Sequence, residues 1–256
     1  MDENAATSPK MNALLRTLAV LSALLITAGC RANIDFGNVP PLEPITQNDG
    51  QNTDEETWEQ RKEKSARWDN DVLREGHVGY VRHVVDGDTL DVQIRDRYLK
   101  VRFQGASAPE CEKDNVQVER TTRLQCVADD EFFGLQSARI LQQIVQNHEV
   151  IVYCEGVGEG QPCALDHYGR TLANLRLDDG RDVGEELIRA GAGWASTAFP
   201  SETRPRFCAA EYEAIAAKRG MWAEGDVPSV LRRMNGGTQR WYRDHDTRCD
   251  DALKGL

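Results

Sequence analysis

The stretch from Val84 to Glu110 constrains the fold of this chain more than any other segment. Apolar and polar residues alternate over Leu90–Ile94 and again over Tyr98–Phe103, which is the period-2 pattern of half-buried strands. The polar residues between these two runs, Arg95–Arg97, are typical of a tight turn. The stretch therefore predicts a β-hairpin.

Three charged residues occupy defined places around this hairpin. Asp88 lies at the start of the first strand, Arg102 lies inside the second, and Glu110 follows the end of the second. Such a hairpin can bring two carboxylates and one guanidinium toward a single point, where they can hold a cation and a phosphate. The hairpin is therefore the first candidate functional site.

The overall charge argues against a protein that coats nucleic acid. Among 256 residues there are 31 Lys and Arg against 42 Asp and Glu, which gives a net charge of −11. Sequence-independent coating of DNA or RNA needs a broad basic face. A broad stacking platform needs many aromatic residues, and these make up only 7% of the chain. An enzyme with one local phosphate pocket is compatible with this composition.

The first 30 residues have the pattern of an export signal. The apolar run Leu18–Ile26 is shorter than the roughly 20 residues of a membrane-spanning helix and follows basic residues. Small residues before Cys30 resemble a bacterial lipoprotein signal, which predicts a membrane anchor through a lipid on Cys30. Arg31, where an aspartate would indicate inner-membrane retention, favours the outer membrane. An ordinary cleaved signal peptide is the alternative.

The rest of the chain divides by composition into three parts. Residues 31–75 are rich in proline, then polar, then charged, which predicts a flexible tether with room for a short solvated helix near Trp58–Trp68. Residues 76–224 carry the regular apolar patterns of a folded domain. Residues 225–256 form a C-terminal extension, which is either a solvated tail or a local basic patch beside the substrate groove.

Six of the seven cysteines remain when Cys30 is set aside. An even number in an exported chain suggests disulfides, and their spacing matches no zinc pattern. Proximity along the chain favours two local pairs and leaves a third: Cys111–Cys126, Cys154–Cys163 and Cys208–Cys249.

Secondary-structure patterns continue beyond the hairpin. Helical spacing of apolar residues predicts a helix over Asp129–Asn147, with Asp129 or Asp130 as its N-cap. A first strand near Val78, two later strands and two further helices are also predicted: Glu149–Cys154, Tyr168–Leu177, Val183–Ala190 and Arg206–Arg219. This order predicts an α+β fold, a five-stranded β-barrel of the OB type with about three packed helices.

Four motifs resemble the staphylococcal nuclease family in their order and spacing. They are Asp86-Gly87-Asp88-Thr89, Arg102, Ala108-Pro109-Glu110 and Asp166-His167-Tyr168-Gly169-Arg170. Two later stretches, Val183–Gly191 and Gly220–Trp222, are similar to that family's second helix and C-terminal Trp segment. Each motif alone is weak, but four in register over about residues 76–224 are specific.

The resemblance implies calcium-dependent, endonuclease-type hydrolysis of phosphodiester bonds in DNA or RNA. It assigns Glu110 to the attacking water. It assigns Arg102 and Arg170 to the phosphate, which guanidinium groups bind through paired hydrogen bonds and stabilise in the transition state.

The calcium ligands that the resemblance implies are incomplete in this sequence. Asp88, Ser107 and the backbone carbonyl of Ala108 occupy the family's metal-binding positions, but the family usually has an aspartate where Ser107 stands. A hydroxyl in place of a carboxylate removes one negative charge, so we expect weaker calcium binding. Glu112 or Asp86 is a candidate to compensate for this loss.

Two classes of function therefore remain. The first is an exported, monomeric nuclease, favoured because Arg102, Glu110 and Arg170 all stand at family positions. The second is a catalytically impaired module on the same fold that binds nucleic acid or a protein partner, favoured by Ser107. A purely structural envelope lipoprotein would leave the placement of the three charged residues unexplained.

Overall fold

The computed structural model describes residues 56–114, 123–197, 199–234 and Cys249. The predicted signal peptide with Cys30, the tether up to residue 55 and most of the C-terminal extension lie outside the described residues.

Ten strands and five α-helices are present in the described part of the chain. The strands are β1 Val78–Val84, β2 Thr89–Ile94, β3 Arg97–Phe103, β4 Ala106–Ser107, β5 Cys111–Lys113, β6 Arg123–Leu124, β7 Cys126–Asp129, β8 Glu149–Tyr153, β9 Thr171–Leu177 and β10 Trp194–Ala195. The helices are α1 Trp58–Ser65, α2 Gly134–Val145, α3 Val183–Arg189, α4 Arg204–Ala216 and α5 Val227–Arg233, with a 3₁₀ helix at Gly220–Glu224.

The main sheet has the strand order β2-β3-β9-β8-β1-β6, and β1 also pairs with β2. These pairings connect β1, β2, β3, β9 and β8 in a circuit, in which β3 and β9 run parallel. The predicted α+β class is confirmed, and the sheet-rich core is consistent with an OB-type arrangement.

The hairpin forms as the alternation predicts. Leu90, Val92 and Val101 are fully buried, and they alternate with polar residues that face outward. Helices α2, α3 and α4 cover the core beside β10 and contribute the buried Leu141 and Leu187. The core thus fixes which side of each strand faces solvent.

The described part of the predicted tether, residues 56–75, is packed against the main sheet. The indole of Trp58 donates a hydrogen bond to Glu149 Oε2 at 2.6 Å, and the buried Ser65 hydroxyl accepts one from the backbone N–H of Val78 at 3.0 Å. The segment also contributes the buried Leu73 to the hydrophobic core, and the Trp68 ring lies 5.4 Å from that of His77. Residues 56–75 are therefore packed with the domain, which the few apolar residues of this stretch did not predict.

All three predicted disulfides are present. They join Cys111 to Cys126, Cys154 to Cys163, and Cys208 to Cys249.

Helix α2 begins later than predicted, at Gly134, and Asp129 ends strand β7. The N-cap position is occupied by Phe133 in a left-handed conformation with φ of 74°. The predicted N-cap is therefore wrong in position, although the Asp129 carboxylate still accepts a hydrogen bond from Leu135 N at 2.7 Å. The short helix considered near Trp58–Trp68 is present as α1, and α5 follows the 3₁₀ helix.

Within the described ranges, no helix combines the length and the apolar character that crossing a membrane requires.

Candidate functional site

The turn between β1 and β2 positions Asp88. The turn packs so closely against α2 that a Cβ on Gly87 would collide with Ser137 and would stand 2.5 Å from the Cβ of Ala108. Glycine is therefore required at this position for steric reasons. The tight turn directs the Asp88 carboxylate toward β3 and the segment that follows β4.

Asp88 and Arg102 form the centre of the site. Arg102 Nη1 lies 3.0 Å from Asp88 Oδ2, and the same oxygen accepts a hydrogen bond from the backbone N–H of Ala108 at 2.9 Å. The other carboxylate oxygen, Oδ1, accepts a hydrogen bond from the hydroxyl of Thr89 at 3.1 Å. The predicted hairpin residues Asp88 and Arg102 are thus in direct contact.

Burial dominates the electrostatics of Asp88, which is 4% exposed. Burial raises the pKa of the Asp88 carboxyl to about 7, and the nearby acids Asp86 and Glu110 add to the rise, while Arg102 opposes it. A second cation beside Asp88 would favour its charged form.

Ser107 contacts the same guanidinium. Its hydroxyl accepts a hydrogen bond from Arg102 Nη2 at 3.1 Å, and the Ala106 carbonyl accepts one from Arg102 Nη1 at 2.8 Å. Ser107 is held in β4 by antiparallel pairing with Trp194 and is 2% exposed. In this arrangement Ser107 orients Arg102 and contributes no negative charge to the site.

Lys113 lies among the acids of the site. Its ammonium is 2.8 Å from Asp86 Oδ2 and 3.4 Å from Glu110 Oε2. Burial opposes its charge, yet Asp86 and Glu110 raise the pKa of Lys113 above the usual value. Burial alone would raise the pKa of Asp86, but Lys113 and hydrogen bonds with Asp88 hold it below the ordinary value. Lys113 therefore neutralises part of the acidic cluster.

The backbone of Glu110 is clamped against the start of α2. Glu110 N–H donates to the buried carboxylate of Glu131 at 2.8 Å, and Glu131 N–H donates to the Glu110 carbonyl at 2.9 Å. A Cβ on Gly134 would collide with that carbonyl, so the helix approaches closely. The Glu110 side chain remains 38% exposed at the edge of the site.

Arg170 lies at the start of β9, next to β3. Thr171 pairs in parallel with Val101, so the residues that precede them, Arg170 and Lys100, are neighbours across the two strands. Arg170 Nε donates to Asp166 Oδ2 at 2.7 Å, and its guanidinium lies 5.3 Å from the ring centroid of Tyr168. Arg170 is therefore oriented by its own turn.

Sequence reasoning did not identify Lys113 or Glu131. Lys113 reaches Asp86 because β5 pairs with β7 and the Cys111–Cys126 disulfide holds both strands together. The contacts of Lys113 with Asp86 and of Glu131 with Glu110 have no local sequence signal, because the partners are far apart along the chain, whereas Lys113 and Glu110 are three residues apart.

The oxygen atoms around Asp88 are of the chemical types that bind a hard cation. Carboxylates at Asp86, Asp88 and Glu110 and a backbone carbonyl at Ala108 are the ligand types that calcium takes. Their arrangement is less favourable, because Arg102 and Lys113 already engage Asp88 and Asp86. These residues therefore fit calcium in chemistry, with fewer free negative charges than a complete ligand set would supply.

A different group of possible metal ligands lies elsewhere. His148, Asp178 and Asp179 bring ligand atoms within 4.8 Å of one another, and this is the only such group among the described residues. Asp178 follows the C-terminal end of β9, whereas Arg170 precedes its start, so about 20 Å or more of strand separates the two places. This group is therefore separate from the predicted metal positions.

The comparisons with known proteins point to one family. Residues 100–224 match the family model described as "Staphylococcal nuclease homologue". A protein of Escherichia coli O157:H7 named "Uncharacterized endonuclease" is 28% identical over 157 residues, which is 60% of this chain and 84% of that protein. A "Micrococcal nuclease" of Shigella flexneri is 25% identical over 154 residues, 57% of this chain and 74% of its own length. These similarities support the staphylococcal nuclease family for the matched residues of this chain.

Proposed function

We propose that this chain is a calcium-assisted nuclease that hydrolyses phosphodiester bonds of DNA, RNA or both. The observation that carries the proposal is the contact of Arg102 with the buried Asp88, beside a Glu110 that is held by its backbone and open to solvent. The similarity to proteins named as nucleases supports the same chemistry.

Each residue has a role that follows from its charge and position. Glu110 accepts the proton of the attacking water, because its carboxylate is accessible and its backbone is fixed. Arg102 and Arg170 bind phosphate oxygens and stabilise the charge that grows on them as the new bond forms. Asp166 and Ser107 orient the two guanidinium groups before substrate binds.

Calcium, when bound beside Asp88 and the Ala108 carbonyl, would neutralise phosphate charge and polarise the phosphorus. Asp88 would bind the cation in competition with Arg102, which contacts one of its oxygens, and with the Thr89 hydroxyl, which donates to the other. Ser107 supplies a neutral oxygen at the third ligand position.

A second candidate function is a nucleic-acid or protein-binding module with impaired catalysis. It is favoured by Ser107 at the family's aspartate position and by Lys113, whose ammonium already neutralises Asp86 and Glu110. The nuclease proposal is preferred because a module without catalysis has no physical need for Arg102, Glu110 and Arg170 together.

We further propose that the protein is a monomer exported to the cell envelope. The motif before Cys30 supports a lipid anchor there, and Arg31 supports the outer membrane over the inner one. A nuclease in that place would act on nucleic acid outside the cytoplasm.

The two functions can be separated by hydrolysis of single-stranded DNA by the purified full chain, with calcium and with a chelator. Wild type and Arg102→Ala are compared with Ser107→Asp. Calcium-dependent cleavage by wild type that Arg102→Ala abolishes is the expected result. Cleavage by Ser107→Asp alone would support the impaired module and would contradict the proposed nuclease.

A further inference from the structure

We propose that the outer face of β1, β2 and β3 binds the single-stranded nucleic-acid substrate beyond the scissile phosphate. We call this surface the β1–β3 track and define it by Tyr80, Gln93, Tyr98 and Lys100. The inference rests on the proposed nuclease function, because it identifies where the rest of that substrate lies.

The track is continuous with the catalytic site along β3. Tyr98, Lys100 and Arg102 alternate with Leu99, Val101 and Phe103 in sequence, and alternate residues of a strand share a face. Tyr98 and Arg102 are therefore separated by about 13 Å along one face of the sheet. A strand whose phosphate reaches Arg102 can lie directly over Lys100 and Tyr98.

An aromatic row crosses the far end of the track. Gln93 on β2 pairs with Tyr80 on β1 and with Tyr98 on β3, so the three side chains lie side by side. The two tyrosines are 41% and 42% exposed, which is unusual for large apolar rings on a sheet. Exposed rings at this spacing offer stacking surfaces to unpaired bases.

The orientation of Tyr98 is held by the residue beneath it. The ring of the buried His83 lies 5.9 Å from the Tyr98 ring at an interplanar angle of 29°. His83 is fixed in turn by Asp91, whose carboxylate lies 3.1 Å from its Nδ1. A ring supported in this way loses little freedom when a base stacks on it.

A basic row lies between the aromatic row and Arg102. Lys100 Nζ is 2.9 Å from Asp91 Oδ1 and remains 40% exposed, and its neighbour on the other side is Arg170, which directly precedes β9. Lys100 and Arg170, which are paired with Asp91 and Asp166, thus extend the row of cationic side chains from Arg102 toward the track. Their position suits the phosphates that connect stacked bases.

Beyond the aromatic row the surface opens into a cavity of about 320 Å³. Tyr80 and Gln93 line it together with three basic side chains and Glu149, whose carboxylate lies 2.9 Å from Lys62 Nζ. The basic residues are Lys62, Arg82 and Arg95. The guanidinium of Arg82 stacks over the Tyr80 ring at 4.9 Å. The cavity borders the track at Tyr80 and Gln93 and offers polar side chains to the last base of the bound strand.

The balance of charge favours a single strand over a duplex. The chain carries a net charge of −11, which argues against a broad basic groove of the kind that duplex DNA requires. Single strands expose base faces that aromatic rings can bind without sequence preference.

The test uses the full chain and two substrates. One is a single-stranded oligonucleotide of about 10 nucleotides, a length in the range of OB-fold sites. The other is thymidine 5′-(p-nitrophenyl) phosphate, which is too short to reach Tyr98. We expect Tyr98→Ala to raise the ratio of oligonucleotide KM to small-diester KM by about 5- to 10-fold, the loss typical of one stacked base.

Two matched variants control for structural effects. Tyr98→Phe keeps the ring and should keep the wild-type KM ratio, as should Tyr153→Ala, which removes a tyrosine from β8, away from the track. Thermal unfolding checks that each variant is folded. If Tyr98→Ala keeps the wild-type KM ratio, or if Tyr98→Phe raises the ratio equally, the proposed role of the β1–β3 track is contradicted.

If wild type cleaves neither substrate, the proposed nuclease fails and the track is tested by binding alone. Fluorescence anisotropy of a labelled single-stranded oligonucleotide then compares wild type with Tyr98→Ala. Weaker binding by Tyr98→Ala supports the track. Equal binding, or no binding by wild type, overturns it.

Discussion

Lys113 is the residue that most changes the electrostatics of the candidate site. Its ammonium bridges Asp86 and Glu110, two acids on separate elements, and partly cancels their negative charge. Ser107 removes a further charge at the family's aspartate position. The two residues together predict that this site binds calcium more weakly than a site with the full set of carboxylates.

We expect Lys113→Met to bind calcium about 5- to 10-fold more tightly than wild type, because removing a nearby positive charge strengthens the attraction of the remaining acids for a cation. Isothermal titration calorimetry of the full chain measures this directly. Lys64→Met is the matched control, since Lys64 also pairs with an acid, Glu159, on a different surface. Unchanged or weaker binding by Lys113→Met would contradict the role given to this lysine.

At the scale of elements, the junction of α1 and β1 introduces a pH-sensitive contact. His77 is fully buried, its Nδ1 accepts a hydrogen bond from Arg74 N at 3.0 Å, and its ring lies 5.4 Å from Trp68. Burial, together with the positive charges of Arg74 and Arg95, lowers the pKa of His77 from 6.5 to about 4, against a weaker opposite effect of Asp69. The folded state therefore keeps this imidazole neutral.

This shift predicts a loss of stability in acid. Above pH 6.5 the imidazole is neutral in both states and the contribution is complete. Between pH 6.5 and 4 the unfolded chain binds the proton first, so the free energy of unfolding falls by up to about 3 kcal/mol. His77→Asn keeps the acceptor and removes the titration. Urea unfolding at several pH values should show the difference between wild type and variant shrinking as pH falls, and parallel pH profiles would contradict the assignment.

The elements differ in how far local sequence determines them. The hairpin was predictable because Leu90, Val92 and Val101 alternate with polar residues, and the pairing follows from that alternation. The contact of Asp88 with Arg102 follows from the same register. The Ser65 contact that anchors α1 was not predictable, because it joins a charged helix to the backbone of β1.

The remaining site residues depend on contacts between distant parts of the chain. Lys113 and Glu131 reach the site only because β5, β7 and α2 pack around Glu110. The described end of the predicted tether is packed for the same reason, since Leu73 enters the core and Trp58 donates a hydrogen bond to the distant Glu149. Such long-range polar contacts leave no periodic pattern in a sequence.

For the whole molecule, the acidic balance limits how much substrate binding relies on charge. Only Arg102, Arg170 and Lys100 are expected to contact phosphates, so log KM for single-stranded DNA should rise with log salt with a slope of about 2. Steady-state kinetics over a series of potassium chloride concentrations measures this slope. A slope above about 5 would indicate a much wider basic surface and would contradict the local phosphate site.

The central claim is that Glu110 activates the attacking water in a nuclease site, and a pair of neighbouring variants tests it most directly. Glu110→Gln and Glu112→Gln remove one carboxylate each, two residues apart. Glu112 was a candidate ligand by sequence, but it is exposed on β5 opposite Ala128, while the next residue, Lys113, is the one that contacts Asp86. Calcium-dependent cleavage of single-stranded DNA should fall by about 100-fold or more in Glu110→Gln, within the range for loss of a general base, and should stay near wild type in Glu112→Gln. Equal activity of the two variants, with binding of DNA intact, would contradict the account.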